Sequence, residues 1–482
     1  MNAHAAADPL PMLPRPSRGP KGLPLLGCLP SLRLDPLGFL ERTARDYGDG
    51  ASFRVLSLQA FLFTRPESVE EVLVTKARSF AKGRGLDAGR PLLGNGLLTS
   101  EGELWKRQRR LAQPAFHRER IAHYAEAMSR AADAATGAWR EGERRDLHQE
   151  MSAITLRIVA ETLFSADVEG DIGAVAASLA IAVEEFPKLL NPIRRVLLEK
   201  LPTPRGLRLR RAVRSLDQVI YQVIAARRAS GVDTGDLLST YLAEVDEDGG
   251  RMSDQQLRDE VMTLFLAGHE TTAIALTWAF YLLATNPEAE RRLHDELETA
   301  LGGRRPLFDD LPNLKYTEAV VKEAMRLYPP AWGIGRRALA DVEVGGVRVP
   351  AGAAVFVSPW LTHRDERHHA DPLSFRPERW LDGSTRTLPR FAYFPFGGGA
   401  RQCIGSGFAM TEAVLVLAAV ARRFRFTYEG KREPRPWPSI TLRPRGGMPV
   451  SVVAVKDYST SMATKAPSSL RTPGLPPSLI TP

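Results

Sequence analysis

The chain has 482 residues, 65 Lys and Arg against 56 Asp and Glu, a net charge of +9, and two cysteines. Two cysteines exclude a disulfide-stapled framework and fit a reducing, cytoplasmic setting. The composition, 44% hydrophobic and 25% charged, is ordinary for a globular protein. Arginines scattered without a concentrated patch or a known fold motif exclude a nucleic-acid partner.

Length admits several ordinary domains or one large enzyme domain. No charged-then-apolar leader and no span of ~20 apolar residues opens the chain, so no membrane anchor is expected. Residues 1–14 are expected to be disordered, and the Pro/Gly/Ala-rich sequence stays irregular to about Asp35. Cys28 lies in this lead-in and is assigned no role.

Helical patterns dominate from about Pro36 to Ala340. They cover Gly102–His123, Leu147–Ser165, Leu207–Ala229, Ser253–Thr285, Pro287–Leu301 and Leu314–Leu327. Pro287 suits the first position of a helix, and Pro329-Pro330 stop the one before them. Val261–Ala284 is apolar and long enough to cross a bilayer, but Glu270 near its centre costs several kcal/mol in lipid. A buried helix in a large core is the better reading.

Between Val342 and Val357, valines among Gly345-Gly346 and Pro350-Ala351-Gly352 predict short strands joined by turns. Asp365–Phe396 is irregular, Gly405–Phe424 is helical, and Val450–Val455 is a last strand. Residues 456–482, rich in Ser, Thr and Pro, are expected to be a disordered tail. The fold class is therefore mainly α with small β-sheets, an α+β domain over 15–455.

Chemistry concentrates in a few places. Phe396-Gly397-Gly398-Gly399-Ala400-Arg401-Gln402-Cys403-Ile404-Gly405 opens an apolar helix. A thiol becomes a metal ligand as thiolate, and the N–H groups of a Gly-rich turn at a helix N-terminus favour that anion. Arg401 adds a cation, and Phe396 an apolar ring. Six such fixed positions arise by chance on the order of 10⁻⁵ times per chain.

Within the apolar helix stands Ala267-Gly268-His269-Glu270-Thr271-Thr272. Ala267 and Thr271, four apart, share a face. Gly268, costly in a helix interior, suggests close approach of a bulky planar group or a local distortion. Glu323 and Arg326 pair along one helix face ahead of Phe375-Arg376-Pro377-Glu378-Arg379-Trp380. Trp105 and Arg109 form another four-apart pair. Arg84 and Arg90 are loop cations suited to a carboxylate, and adjacent His368-His369 do not face one metal well.

Position by position, Phe396, Gly397, Gly399, Arg401, Cys403 and Gly405, with Ala409 beyond, resemble the haem-binding loop of the cytochrome P-450 family. Residues 267–272 resemble its oxygen-activation motif, Glu323/Arg326 with Phe375–Trp380 its charge motifs, and Trp105/Arg109 its propionate-binding helix. The resemblance implies the family's prism fold, with haem b between a long central helix and the Cys-ligand loop. It implies Cys403 as the iron ligand in a loop that includes Phe396, Gly397 and Gly405. Trp105, Arg109, Arg336 and Arg401 would serve the haem carboxylates, with His363 a further candidate. Ala267 and Gly268 would flank the haem. Thr271 and Glu270 would deliver protons to bound dioxygen, while Glu323, Arg326 and Arg379 would hold the loop as a buried network.

The implied activity is a monooxygenase that hydroxylates or epoxidises a lipophilic small molecule: a fatty acid, terpenoid or steroid. The thiolate would promote O–O cleavage. Electrons would come from NAD(P)H through a separate ferredoxin or flavodoxin and its reductase. Leu92, Leu93, Phe186, Leu190, Phe265, Ala267, Trp332, Ile334 and Ile440 are placed by position in the substrate pocket. Two alternatives stay open: a peroxide-driven or isomerising haem-thiolate enzyme, and a non-catalytic haem sensor or carrier.

Overall fold

The computed structural model describes residues 18–87, 89–165, 172–189, 203–243 and 251–455. The ends expected to be disordered, 1–14 and 456–482, lie outside the described residues, as does Leu190.

Helices build most of the core. The central one, Asp254–Thr285, has 32 residues and so spans roughly 48 Å. Ser253 caps it, its hydroxyl accepting from the Gln256 N–H at 3.2 Å. Around it pack Leu147–Phe164, Pro204–Ser230, Lys315–Leu327 and Ser406–Ala421. Pro287 begins the helix Pro287–Leu301, as its fixed φ favours.

The helix expected over Gly102–His123 is divided. It ends at Ala112, a 3-10 turn runs over Gln113–Phe116, and a new helix covers Arg118–Gly137. Pro114 lies in that turn, where it has no N–H to continue the α-helical ladder.

Ala51–Val55 and Leu58–Phe63 form an antiparallel hairpin where helical patterns were expected. Short apolar runs do not separate strand from buried helix by periodicity; Phe61, Leu62 and Phe63 are all fully buried. The hairpin joins Ala354–Val357 in parallel, and then Ile334–Ala338 and Phe80–Lys82 antiparallel, in one five-stranded sheet. That sheet brings Lys82 opposite Arg336, residues more than 250 positions apart. A smaller sheet pairs Pro449–Ala454 with Phe424–Tyr428 and Arg144–Asp146. Among the described residues, no helix is long and apolar enough to cross a membrane.

Candidate haem and oxygen site

The central helix is buried from Leu257 to Leu283 except at Ala267, which is exposed, and Gly268 and Thr271, which are half-buried. Ala267 and Thr271 lie one turn apart, so this opening is a single small window in an otherwise enclosed helix. The Thr271 hydroxyl donates to the Ala267 carbonyl at 2.8 Å, the usual resting bond of a mid-helix threonine. Gly268 does not turn its bare side to a planar group. A Cβ there would lie 2.9 Å from Val159 Cγ2, so the glycine permits close packing against Leu147–Phe164.

The loop that ends in Cys403 is held by its own backbone. The Cys403 N–H donates to the Phe396 carbonyl at 2.9 Å, and Gly397 N–H to Phe394 at 2.9 Å. Gly399 has φ +69°, and a Cβ on it would lie 2.0 Å from the Leu73 carbonyl; one on Gly398 would lie 2.4 Å from Phe391. These glycines therefore let the loop seat against protein, rather than bringing amides to sulfur as the sequence suggested. Gly405 contributes at the sulfur itself. Enclosure pushes the Cys403 thiol up, while the Gly405 N–H and the Arg109 cation pull it down. Cys403 nonetheless retains accessible surface, whereas Cys28 is buried.

Beside the loop lies a knot of cations around Trp105. Arg401 sits 4.8 Å from its ring centre, Arg109 5.9 Å and Lys82 6.0 Å. Arg109 donates to the Gln402 carbonyl at 2.9 Å. Glu101 is the carboxylate of the group, paired with Arg401 and accepting from the Lys82 N–H at 2.6 Å. Burial opposes its ionisation, yet Arg401 and that N–H hold it below the usual carboxylate range. Burial, with Arg401 nearby, drives Lys82 down to about 7, and the same two causes lower Arg336 to about 10. One arm of Arg401, Nη1, is buried without a partner.

An excess of enclosed cations, one with an orphaned donor, fits a dianionic ligand whose carboxylates enter the knot. The residues present thus fit haem, with Cys403 to hold iron and Lys82, Trp105, Arg109, Arg336 and Arg401 to hold propionates. Sequence reasoning missed Lys82 and Glu101; no motif marks either, and only the sheet register brings Lys82 to Arg336. His363 is not among the cations. It is fully buried and neutral, its pKa driven well down by burial, and its Nε2 accepts the Phe394 N–H at 2.9 Å.

Glu270 faces away from solvent. It is buried and grips Arg443, with Nη2–Oε2 at 2.6 Å, and accepts from Thr441 Oγ at 3.1 Å. Burial would keep it neutral, but Arg443 holds it ionised. The solvent exposure of Glu270 is only 2%.

Glu323 anchors a closed network. Arg326 donates to it at 2.9 and 2.8 Å, Arg379 at 3.0 Å, Trp380 Nε1 at 3.0 Å and the Arg376 N–H at 3.1 Å. Arg326 spends its remaining arm on the carbonyls of His363 and Pro372, at 2.9 and 2.6 Å.

Of the residues placed in the pocket, Phe265 lies on the opposite face from the window, stacked 4.8 Å from Phe164. Two residues short of Ala267 is about 200° round the helix, which the sequence position alone concealed. Leu92 and Leu93 are buried in the main core. Ile334 approaches the loop, 3.4 Å from where a Gly397 Cβ would stand. Trp332 donates to the Ser439 carbonyl at 3.0 Å beside half-buried Ile440. Phe186 falls in the helix Ile172–Leu189, but its side chain lies outside the described residues. Beside the loop, whose Ala400 forms part of the wall, Lys106, Arg110 and His117 line an open hollow of about 540 Å³ with Trp105 and Arg109.

The family model described as "Cytochrome P450" matches residues 17–449. Cyclooctatin synthase of Streptomyces melanosporofaciens is 43% identical over 433 residues, 89% of this chain and 92% of that one. Cyclooctat-9-en-7-ol 5-monooxygenase of the same organism is 41% identical, over 88% and 90% of the two chains. Pentalenene oxygenase of Streptomyces avermitilis is 39% identical, over 86% and 92%.

Proposed function

The chain belongs to the cytochrome P450 family, and we propose that it is a haem-thiolate monooxygenase that oxygenates a cyclic, largely hydrocarbon terpenoid. The family implies haem and dioxygen-dependent monooxygenation. The observation that carries the reading is the window at Ala267, Gly268 and Thr271, an apolar opening with one hydroxyl in a helix otherwise sealed from Leu257 to Leu283.

Haem bound through Cys403 supplies dioxygen activation and electron transfer to it. The chain's own residues do the rest. Lys82, Arg109, Arg336 and Arg401 bind and orient its carboxylates. Thr271 releases its bond to the Ala267 carbonyl and presents its hydroxyl in the window, where it steadies and passes a proton. Glu270, kept ionised by Arg443, sets the charge behind that hydroxyl; to carry a proton it must first loosen from Arg443. The surrounding core excludes water.

The substrate class rests on the relatives, whose names carry an olefinic hydrocarbon, pentalenene, and an olefinic alcohol. Of fatty acids, terpenoids and steroids, these are of terpenoid type. Electrons reach the site from NAD(P)H through a separate ferredoxin or flavodoxin and its reductase. An acidic partner complements the hollow at Lys106, Arg110 and His117.

The test is turnover with ferredoxin, reductase, NAD(P)H and isotopic dioxygen over a panel of cyclic terpenes. One labelled oxygen per product is expected. In Thr271→Ala, product per electron should drop severalfold while peroxide rises. Equal turnover with peroxide alone, or unchanged coupling in the variant, would overturn the reading.

A further inference from the structure

Among the described residues, five of the twelve exposed large apolar side chains are leucines of one corner: Leu23, Leu25, Leu26, Leu34 and Leu56. The backbone binds them together. Leu23 and Gly27 close a tight turn with bonds of 2.9 and 2.8 Å, and Leu56 N–H donates to the Leu26 carbonyl at 3.1 Å. The helix Leu29–Leu34 leaves directly from that turn. Bonds from Cys28 N–H to Arg54 at 2.7 Å and from Ser52 N–H to Arg18 at 3.0 Å fix the corner to the first strand. The patch is thus part of the fold rather than a loose end.

Two of its leucines are held in left-handed backbone, Leu25 at φ 60° and Leu56 at φ 55°. Such a conformation is costly for an L-residue, and packing within the chain does not offset it, since Leu25 is 86% exposed. The tight turns hold these conformations; what the chain does not supply is cover for the side chains, and an apolar phase outside it accounts for their exposure. The rim is mainly cationic, its nearest acid, Asp35 beside Leu34, being paired with Arg42. Arg18, Lys21, Arg33 and Arg54 are exposed, and no Asp or Glu occurs in 18–34 or 51–66.

We propose that this corner docks on the surface of an anionic lipid bilayer. The leucines enter the boundary between headgroups and acyl chains, and the four cations face acidic headgroups. Composition favours lipid over a protein partner: protein hot spots are rich in Trp and Tyr and poor in leucine, and this patch is leucine alone. The contact is peripheral, since among the described residues no helix is long and apolar enough to span. It is independent of the reading of catalysis.

The full-length holoprotein is floated with vesicles of phosphatidylcholine, with and without about one-third phosphatidylglycerol, at low and moderate salt. Binding to the acidic vesicles is expected, weakening as salt rises. The double variant Leu25→Glu/Leu56→Glu should bind about tenfold or more weakly. Leu373→Glu, at a residue 74% exposed elsewhere, should bind as the parent does. Carbon-monoxide difference spectra of all three report an intact haem site. The proposal is overturned by failure to float with acidic vesicles, by equal binding to neutral ones, or by equal loss in Leu373→Glu. A dimer that the double variant dissociates would likewise overturn it, making the corner an interface between copies.

Discussion

Two arginine-rich clusters flank the thiolate loop, and they are built on opposite principles. Around Glu323 every charged arm meets a protein acceptor, and the group is sealed from water. Around Trp105 cations outnumber carboxylates, Arg401 keeps an orphaned donor, and Lys82 is driven down to about 7 by burial and neighbouring charge. A satisfied buried network specifies structure. One in which several cations share a single carboxylate, Glu101, is suited to a further anion. The contrast separates a cluster closed on itself from one with binding capacity to spare, although both are made of the same residue types.

The sharpest way to break the comparison is to disturb the closed cluster. Glu323→Ala strands Arg326 and Arg379 in the core, and a loss of about 3–5 kcal/mol is expected. Urea unfolding of the holoprotein measures it. A loss below about 1 kcal/mol would show the network to be no more than a surface-type pair.

The open cluster should respond in the other direction. Lys82→Met removes a charge that Arg401 and Arg336 repel, so folding is expected to survive while haem binds about 10- to 100-fold more weakly. Haem transfer to an acceptor protein reads this directly. The sign of the pH dependence follows from Lys82. Haem carboxylates raise its pKa back above the value of about 7 that it has without them, so binding takes up a proton. Affinity is therefore greatest below pH 7 and falls as pH rises through the window toward the ordinary lysine value. Lys82→Met should flatten that slope.

The smallest effect belongs to the outer rim, where Lys106 and Arg110 are exposed beside the hollow. Arg110→Glu should slow reduction by an acidic ferredoxin several-fold at low salt and scarcely at high salt. Stopped-flow reduction at two salt concentrations checks it, with haem content unchanged.

Much of the site was legible because its chemistry is local. The run from Phe396 to Gly405, the block from Ala267 to Thr272 and the three-apart spacing of Glu323 and Arg326 each place their groups within one turn or loop, where sequence spacing sets geometry. Elements were legible where caps and prolines mark them, as at Ser253 and Pro287. Pro114 divided a helix that amphipathic spacing alone ran together.

What only the tertiary structure decided depends on contacts between distant segments. The pairing of Phe80–Lys82 with Ile334–Ala338 delivers Lys82 to the cation knot, and no local pattern foretells a strand partner more than 250 residues away. Which side of the central helix faces the window was equally hidden: Ala267 and Phe265 read alike as apolar residues, and only packing against Phe164 assigns the latter to the core. Gly268 needed a glycine, as its sequence context implied, but for Val159 of a neighbouring helix. Local spacing determines which groups can act together, because covalent geometry fixes it. Their orientation and their counter-charges are set by segments that the chain brings back from afar.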